Sequence, residues 1–114
     1  MIDGWITQLR KGLLEYCVLT VLSRGESHGY EIVQALRQIE ALAVSESTVY
    51  PILARLRADK YLKVREEPSD AGGPPRRVFA LTAMGRVRLA EMHAYLGELN
   101  AALAQLERTA PGDK

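Results

Sequence analysis

One cysteine, Cys17, stands in the whole chain, so no internal disulfide can form. The apolar stretches are short and carry charges at their edges, well below the roughly 20 residues that a membrane-spanning helix needs. The opening Met1-Ile2-Asp3-Gly4-Trp5-Ile6 lacks the basic start and long apolar run of a signal peptide. These absences point to the reducing cytoplasm and away from a membrane. Only two histidines are present, and no Cys or His cluster has the spacing of a metal site. No phosphate-cradling glycine loop follows a strand, because Gly72-Gly73 sits between prolines. Ser, His and acidic residues occur, but in no recognised nucleophilic constellation. The chain is therefore expected to be no enzyme and to carry no cofactor and no metal.

What is present is the composition of an ordinary globular domain. The 114 residues fit one domain, with 47% hydrophobic and 25% charged residues. A chain of this size buries about two-thirds of its unfolded surface without staples. The net charge of +1 neither supports nor excludes a nucleic-acid partner. Its distribution is more informative: residues 46–80 hold seven bases against five acids, whereas residues 1–45 hold four against five and residues 81–114 are balanced.

Hydrophobic periodicity divides the chain. Leu9, Leu13, Cys17, Val18, Val21 and Leu22 recur at helical steps, giving a first helix over about 6–23 that Gly25 ends. Trp5 precedes it. A second helix opens near Ser27 or His28. With His28 as cap, Glu31 falls at the third helical position and can reach back to a free amide. Tyr30, Ile32, Val33, Leu36 and Ile39 give its apolar spacing, and it fades near Ala41. Ser45 is a suitable cap for a third helix, its hydroxyl accepting an amide two or three residues on. Val49, Ile52, Leu53 and Leu56 then form one stripe. Pro51 lacks the amide that would bond back to Ser47, so the first turn of this helix is expected to be bent or irregular.

After Lys60 the period falls to two. Leu62 and Val64 alternate with Lys63 and Arg65, and Arg77-Val78-Phe79-Ala80-Leu81 follows the breaker-rich stretch from Pro68 to Pro75. This is a β-hairpin with a long tip. Thr82 caps a last helix reaching about Glu107. Its apolar positions, Leu89, Met92, Leu96, Leu99, Leu103 and Leu106, follow alternating steps of three and four, a heptad seam that needs a partner. The sequence thus divides into a unit over 1–81, a dimerisation helix over 82–108 and a disordered tail over 109–114.

Helix, helix, capped helix, hairpin and long helix is the order of a winged helix-turn-helix with an appended dimerisation helix: mainly α with a small β-hairpin. A major groove admits one α-helix, and a wing reaches the flanking backbone or minor groove. The same order also serves protein–protein interaction modules that bind no DNA. Four motifs favour the first use. Leu13-Leu14-Glu15-Tyr16 leading to Leu22-Ser23, then His28-Gly29-Tyr30-Glu31-Ile32, resembles the opening of PadR-type transcriptional regulators. Ser47-Thr48-Val49-Tyr50-Pro51-Ile52-Leu53 with Arg55-Leu56 is similar to their recognition helix, proline included. Gly73-Pro74-Pro75-Arg76-Arg77 and Leu81-Thr82-Ala83-Met84-Gly85 are similar to the wing and the start of the last helix. The resemblance covers about residues 9–107 and suggests the shorter of the family's two architectures. It implies a homodimeric, cytoplasmic regulator of transcription, usually a repressor, bound to operator DNA and released by an effector.

Four positions depart from the family pattern. Lys60 stands where a glycine usually ends the recognition helix, so it must take a left-handed backbone or end the helix differently. Arg57 replaces a glutamate, and Val78 and Phe79 replace paired tyrosines of the wing.

Residues near the N-terminus of a recognition helix read bases, which selects Ser47, Thr48, Tyr50 and Pro51. Arg55, Arg57, Lys63, Arg65, Arg76 and Arg77 are candidate phosphate contacts, with Arg76 and Arg77 foremost. Tyr30 and His28 lie where free amides favour a phosphate. Cys17 is expected in the core and His93 on the surface. Trp5 is a candidate for the partner's long helix or for an effector cavity.

Overall fold

A computed structural model describes residues 2–69 and 72–109. Helix α1 spans Ile2–Leu22, a two-residue strand β1 spans Ser27–His28, and α2 spans Gly29–Arg37. A short 3-10 turn at Glu40–Leu42 leads to α3, Glu46–Ala58, then to strands β2, Leu62–Glu67, and β3, Arg76–Leu81, and to the long α4, Ala83–Thr109. The sheet is antiparallel with order β1-β3-β2. Its register sets Val64 opposite Phe79 and Leu62 opposite Leu81, so these four apolar side chains share one face.

That face closes a core built from all three of the first helices. Val18 and Leu19 of α1, Ile32 and Val33 of α2, Val49 and Leu53 of α3 are fully buried, and Leu62, Phe79 and Leu81 cover them from the sheet. Cys17 packs at the margin of this core, and burial pushes its thiol above the usual range. No buried polar or charged residue interrupts the cluster among the described residues.

The expected elements are present, with shifted ends. Helix α1 begins at Ile2 rather than near Ile6, so Trp5 lies within it rather than ahead of it. Asp3 in its first turn complements the helix dipole and extends the start. Helix α2 stops at Arg37 instead of Ala41. Ile39 lies outside it, more than half exposed, and the chain turns through the 3-10 segment. Strand β1 was not expected, since two residues show no alternation. It forms because Ser27 and His28 pair with Phe79 and Val78 of β3. Thr109, assigned above to a tail, ends α4, and residues 110–114 lie outside the described part.

The caps explain how the helices are aimed. The amide of His28 donates to the Glu31 carboxylate at 2.8 Å, so the expected reach of Glu31 is present. Ser45 does occupy the cap of α3, but its hydroxyl makes no cap bond to the backbone. It meets the Ser47 and Thr48 hydroxyls at 2.9 and 3.1 Å, while the Thr48 and Val49 amides both bond to the Ser45 carbonyl. Residues 46–50 are already helical, and Pro51 sits inside one continuous helix rather than after an irregular turn. The turn absorbs the missing proline amide without breaking.

Lys60 takes the left-handed alternative, with φ 68°. The Tyr61 amide bonds back to Leu56 at 2.9 Å and the Lys60 amide to Arg57 at 3.0 Å, the paired bonds of a glycine-type helix ending. A lysine costs about 1–2 kcal/mol there that a glycine would not. Directly beyond, Thr82 locks α4 to this ending: its hydroxyl donates to the Lys60 carbonyl at 2.7 Å and accepts the Gly85 amide at 3.0 Å. Gly85 is needed at this contact, because a Cβ there would lie 2.1 Å from the Tyr61 carbonyl oxygen.

Candidate nucleic-acid interface

The outer face of α3, the start of α2 and the loop-side end of β3 enclose a cleft of about 770 Å³. Tyr30, Tyr50, Arg57, Arg76 and Arg77 line it together. Five of the residues selected from the sequence, scattered over 48 positions, therefore meet at one place. The small side chains of Ala54 and Ala58 floor the cleft between them, so a ligand can approach the α3 backbone closely. Its other wall includes Pro75, which fixes the chain direction just before the two wing arginines.

Tyr50 stands against Gly29. A Cβ on Gly29 would lie 2.6 Å from the Tyr50 ring, so the absence of a side chain there seats the phenol. The ring is still 41% exposed, and partial burial together with the nearby Glu46 carboxylate pushes its hydroxyl above the usual range. Tyr50 thus remains a neutral donor at the rim of the cleft. Tyr30 is more open, at 58%.

The basic residues separate into two groups. Arg57, Lys63, Arg76 and Arg77 are exposed and form no ion pair among the described residues. The others are engaged. Arg65 grips Glu26 and also meets Glu67 at 3.2 Å, which holds the Glu26 carboxyl below its usual range. Arg55 faces Glu15 of α1 at 3.6 Å. Ser47 and Pro51 are exposed on α3, whereas Thr48 is half-buried and turned toward a small hollow beside Arg10 and Lys11. Lys63 lies on the hairpin outside the main cleft.

His28 ties the wing to α2. Its Nδ1 lies 2.9 Å from Glu31 and its Nε2 3.2 Å from Glu67. The amide and ring of His28 hold the Glu31 carboxyl below its usual range. The cap reading of His28 was legible in the sequence, but its link to Glu67 was not, because it depends on β1. Gly29 was also missed as a seat for Tyr50. The only signal was its place between the cap and an exposed tyrosine.

A second groove, of about 520 Å³, runs between α1 and α4. Leu9, Leu13, Met92, Leu96 and Leu99 give it an apolar floor, with Arg88, Glu91 and Tyr95 along its edge. The heptad stripe is divided here. Leu89 and Met92 are half-buried and pack against the chain's own core, while Met92 also lines the groove. Leu99, Leu103 and Leu106 are exposed, as is Trp5 on α1. His93 is exposed as expected, but its ring stacks on Tyr16 and its Nδ1 meets the Tyr16 hydroxyl at 2.9 Å, which joins the two helices.

Among the described residues, no group of three or more His, Cys, Asp or Glu side chains could hold a metal ion. No described helix is long and apolar enough to cross a membrane.

Known proteins share this architecture. Over 82 residues the chain is 34% identical to the transcriptional regulator YqjI of Escherichia coli K12; the match takes in 70% of this chain and 37% of that protein, so the chain spans little more than a third of that relative. A PadR family transcriptional regulator of Eggerthella lenta superposes with a TM-score of 0.85 at 26% identity, covering 95% of this chain and 93% of the other. Bacillus subtilis PadR, solved in complex with operator DNA, shares the fold with a TM-score of 0.65 at 23% identity over 70% of this chain and 46% of its own. The PadR-like transcriptional regulator family matches residues 18–91, from near the end of α1 into α4. The winged helix-turn-helix built by α1 to β3, with its long following helix, is the fold of that family, and the chain belongs to the PadR-like transcriptional regulators.

Proposed function

We propose that the protein binds operator DNA as a homodimer and represses transcription, with α3 in the major groove and the hairpin as the wing. The cleft carries this reading: two exposed tyrosines and three arginines with no ion pair among the described residues converge on the outer face of α3 and the loop-side end of the wing. A groove-reading helix needs close backbone approach, which Ala54 and Ala58 permit, and phosphate contacts on either side, which Arg57, Arg76 and Arg77 can supply. The operator complex of the related Bacillus subtilis protein supports DNA as the partner. Ser47, Thr48, Tyr50 and Pro51 are the base-reading or positioning candidates. Lys63 and Tyr30 extend the footprint.

The later part of the stripe, with Leu96 half-buried and Leu99, Leu103 and Leu106 exposed, supports dimerisation through α4 with help from α1. On this reading, residues 1–81 form the DNA-binding unit and residues 82–108 the dimerisation helix, in a cytoplasmic protein that is not an enzyme. A small-molecule effector held between α1 and α4, near Trp5, would change the spacing of the two recognition helices and release the operator.

Tyr50 gives the test. Its ring is close to half exposed and covers a glycine rather than the core, so Tyr50→Ala is expected to leave the melting temperature almost unchanged. Specific operator affinity should fall by at least about 1 kcal/mol, as expected for loss of a good groove contact. Unfolding of the variant with unaffected DNA affinity in the folded fraction would place Tyr50 in the core. Failure of the wild type to bind any duplex would favour a protein-interaction module.

A further inference from the structure

Glu15 carries more than one role in the packing of α1. Its side chain is only 13% exposed, and a carboxylate in that position needs a cationic partner. It has two, from different helices. Arg88 of α4 meets one oxygen directly, and Arg55 of α3 stands 3.6 Å from the other. Arg88 is further fixed: its guanidinium lies 4.8 Å over the Tyr61 ring and donates to the Tyr61 hydroxyl at 3.4 Å. The neighbouring Glu15 carboxylate holds the Arg88 guanidinium firmly in its charged form. Arg55 is the loosely held member, with a side chain 55% exposed.

Arg55 lies one turn after Pro51 on α3, about 40° round the helix from it, and therefore on the flank of the DNA-facing surface. A free arginine there would be a further phosphate ligand. We propose that Glu15 is a positioning residue that joins the dimer helix to the recognition helix through Arg88 and Arg55 and withholds Arg55 from the DNA backbone. The inference rests on the DNA-binding reading. It revises the place of Arg55 in the footprint: the cation belongs to an internal relay, and the phosphate contacts come from Arg57, Lys63 and the wing. Because Arg88 also borders the α1–α4 groove, the relay runs from that groove to α3.

The test is a salt titration on a random duplex, with melting curves recorded in parallel. Glu15→Gln keeps the shape and removes the charge, so Arg55 becomes available to phosphate. The slope of log affinity against log salt should steepen by about 2 for a dimer, at roughly 0.9 per phosphate. Arg55→Gln in the wild-type background should leave the slope unchanged, and the same change added to Glu15→Gln should abolish the gain. A folded Glu15→Gln protein with an unchanged slope overturns the proposal. So does a wild-type slope flattened by Arg55→Gln, which decides the matter even if Glu15→Gln fails to fold. A wild type that shows no salt-dependent DNA binding is a different failure, of the DNA reading itself, and it is read first in the same titration.

Discussion

Replacing Leu96 and Leu99 together by glutamate is expected to convert a dimer into folded monomers. Neither side chain belongs to the core cluster; Leu96 is half-buried in the α1–α4 groove and Leu99 is 37% exposed, so the protomer does not depend on them. In a dimer joined through this face they lie mid-stripe, and twofold symmetry places four new carboxylates inside the interface. An uncompensated buried charge costs about 3–5 kcal/mol. Even the lower figure for a single such charge raises the dimer dissociation constant by about a hundredfold. Operator affinity should fall with it, because two half-sites can no longer be held together. Sedimentation gives the mass, and a thermal melt gives the fold. An intact dimer with unchanged stability would show that this face is not the interface. The charge change at Leu89 or Met92 would be a poorer test, since both pack against the chain's own core.

The second large effect concerns the wing. Arg76 and Arg77 open β3 directly after Pro74 and Pro75; both are exposed and neither is ion-paired among the described residues. Replacing both by alanine should weaken specific and non-specific DNA binding by similar factors, because phosphate contacts carry no base information. If each arginine meets one phosphate per protomer, four contacts are lost. The slope of log affinity against log salt should then flatten by about 3 to 4 units. The measurement is a salt titration of wild type and variant on operator and random duplexes. An unchanged slope would remove both arginines from the backbone contacts. A flattened slope on the operator alone would assign the wing to minor-groove reading instead.

Periodicity made most of this fold legible. The stripe from Val49 to Leu56 defined α3, and the switch to alternation after Lys60 defined the hairpin, because each pattern follows directly from one buried face. The left-handed backbone at Lys60 could be anticipated as one of two outcomes, since the helix ended without a glycine. Features that depend on tertiary contact were not legible. Strand β1 has no pattern of its own and exists through pairing with β3. The Ser45 hydroxyl had equally good hydroxyl partners two and three residues away, so the cap bond expected from its identity was replaced. The basic residues looked alike in sequence, and only their distances to Glu15, Glu26 and Glu67 divide the paired from the free. The heptad stripe was read correctly as apolar, but a linear pattern does not show that its first turns serve the protomer's own core.

The central claim is that the face formed by α3 and the wing binds the backbone and groove of duplex DNA. The most direct measurement is the affinity of the unmodified protein for duplex DNA at stepped salt concentrations. Four exposed cations per protomer with no ion pair among the described residues, Arg57, Lys63, Arg76 and Arg77, predict that log affinity falls against log salt with a slope near −7 for a dimer, at roughly 0.9 per phosphate. Binding that is absent, or that does not change with salt, would contradict it.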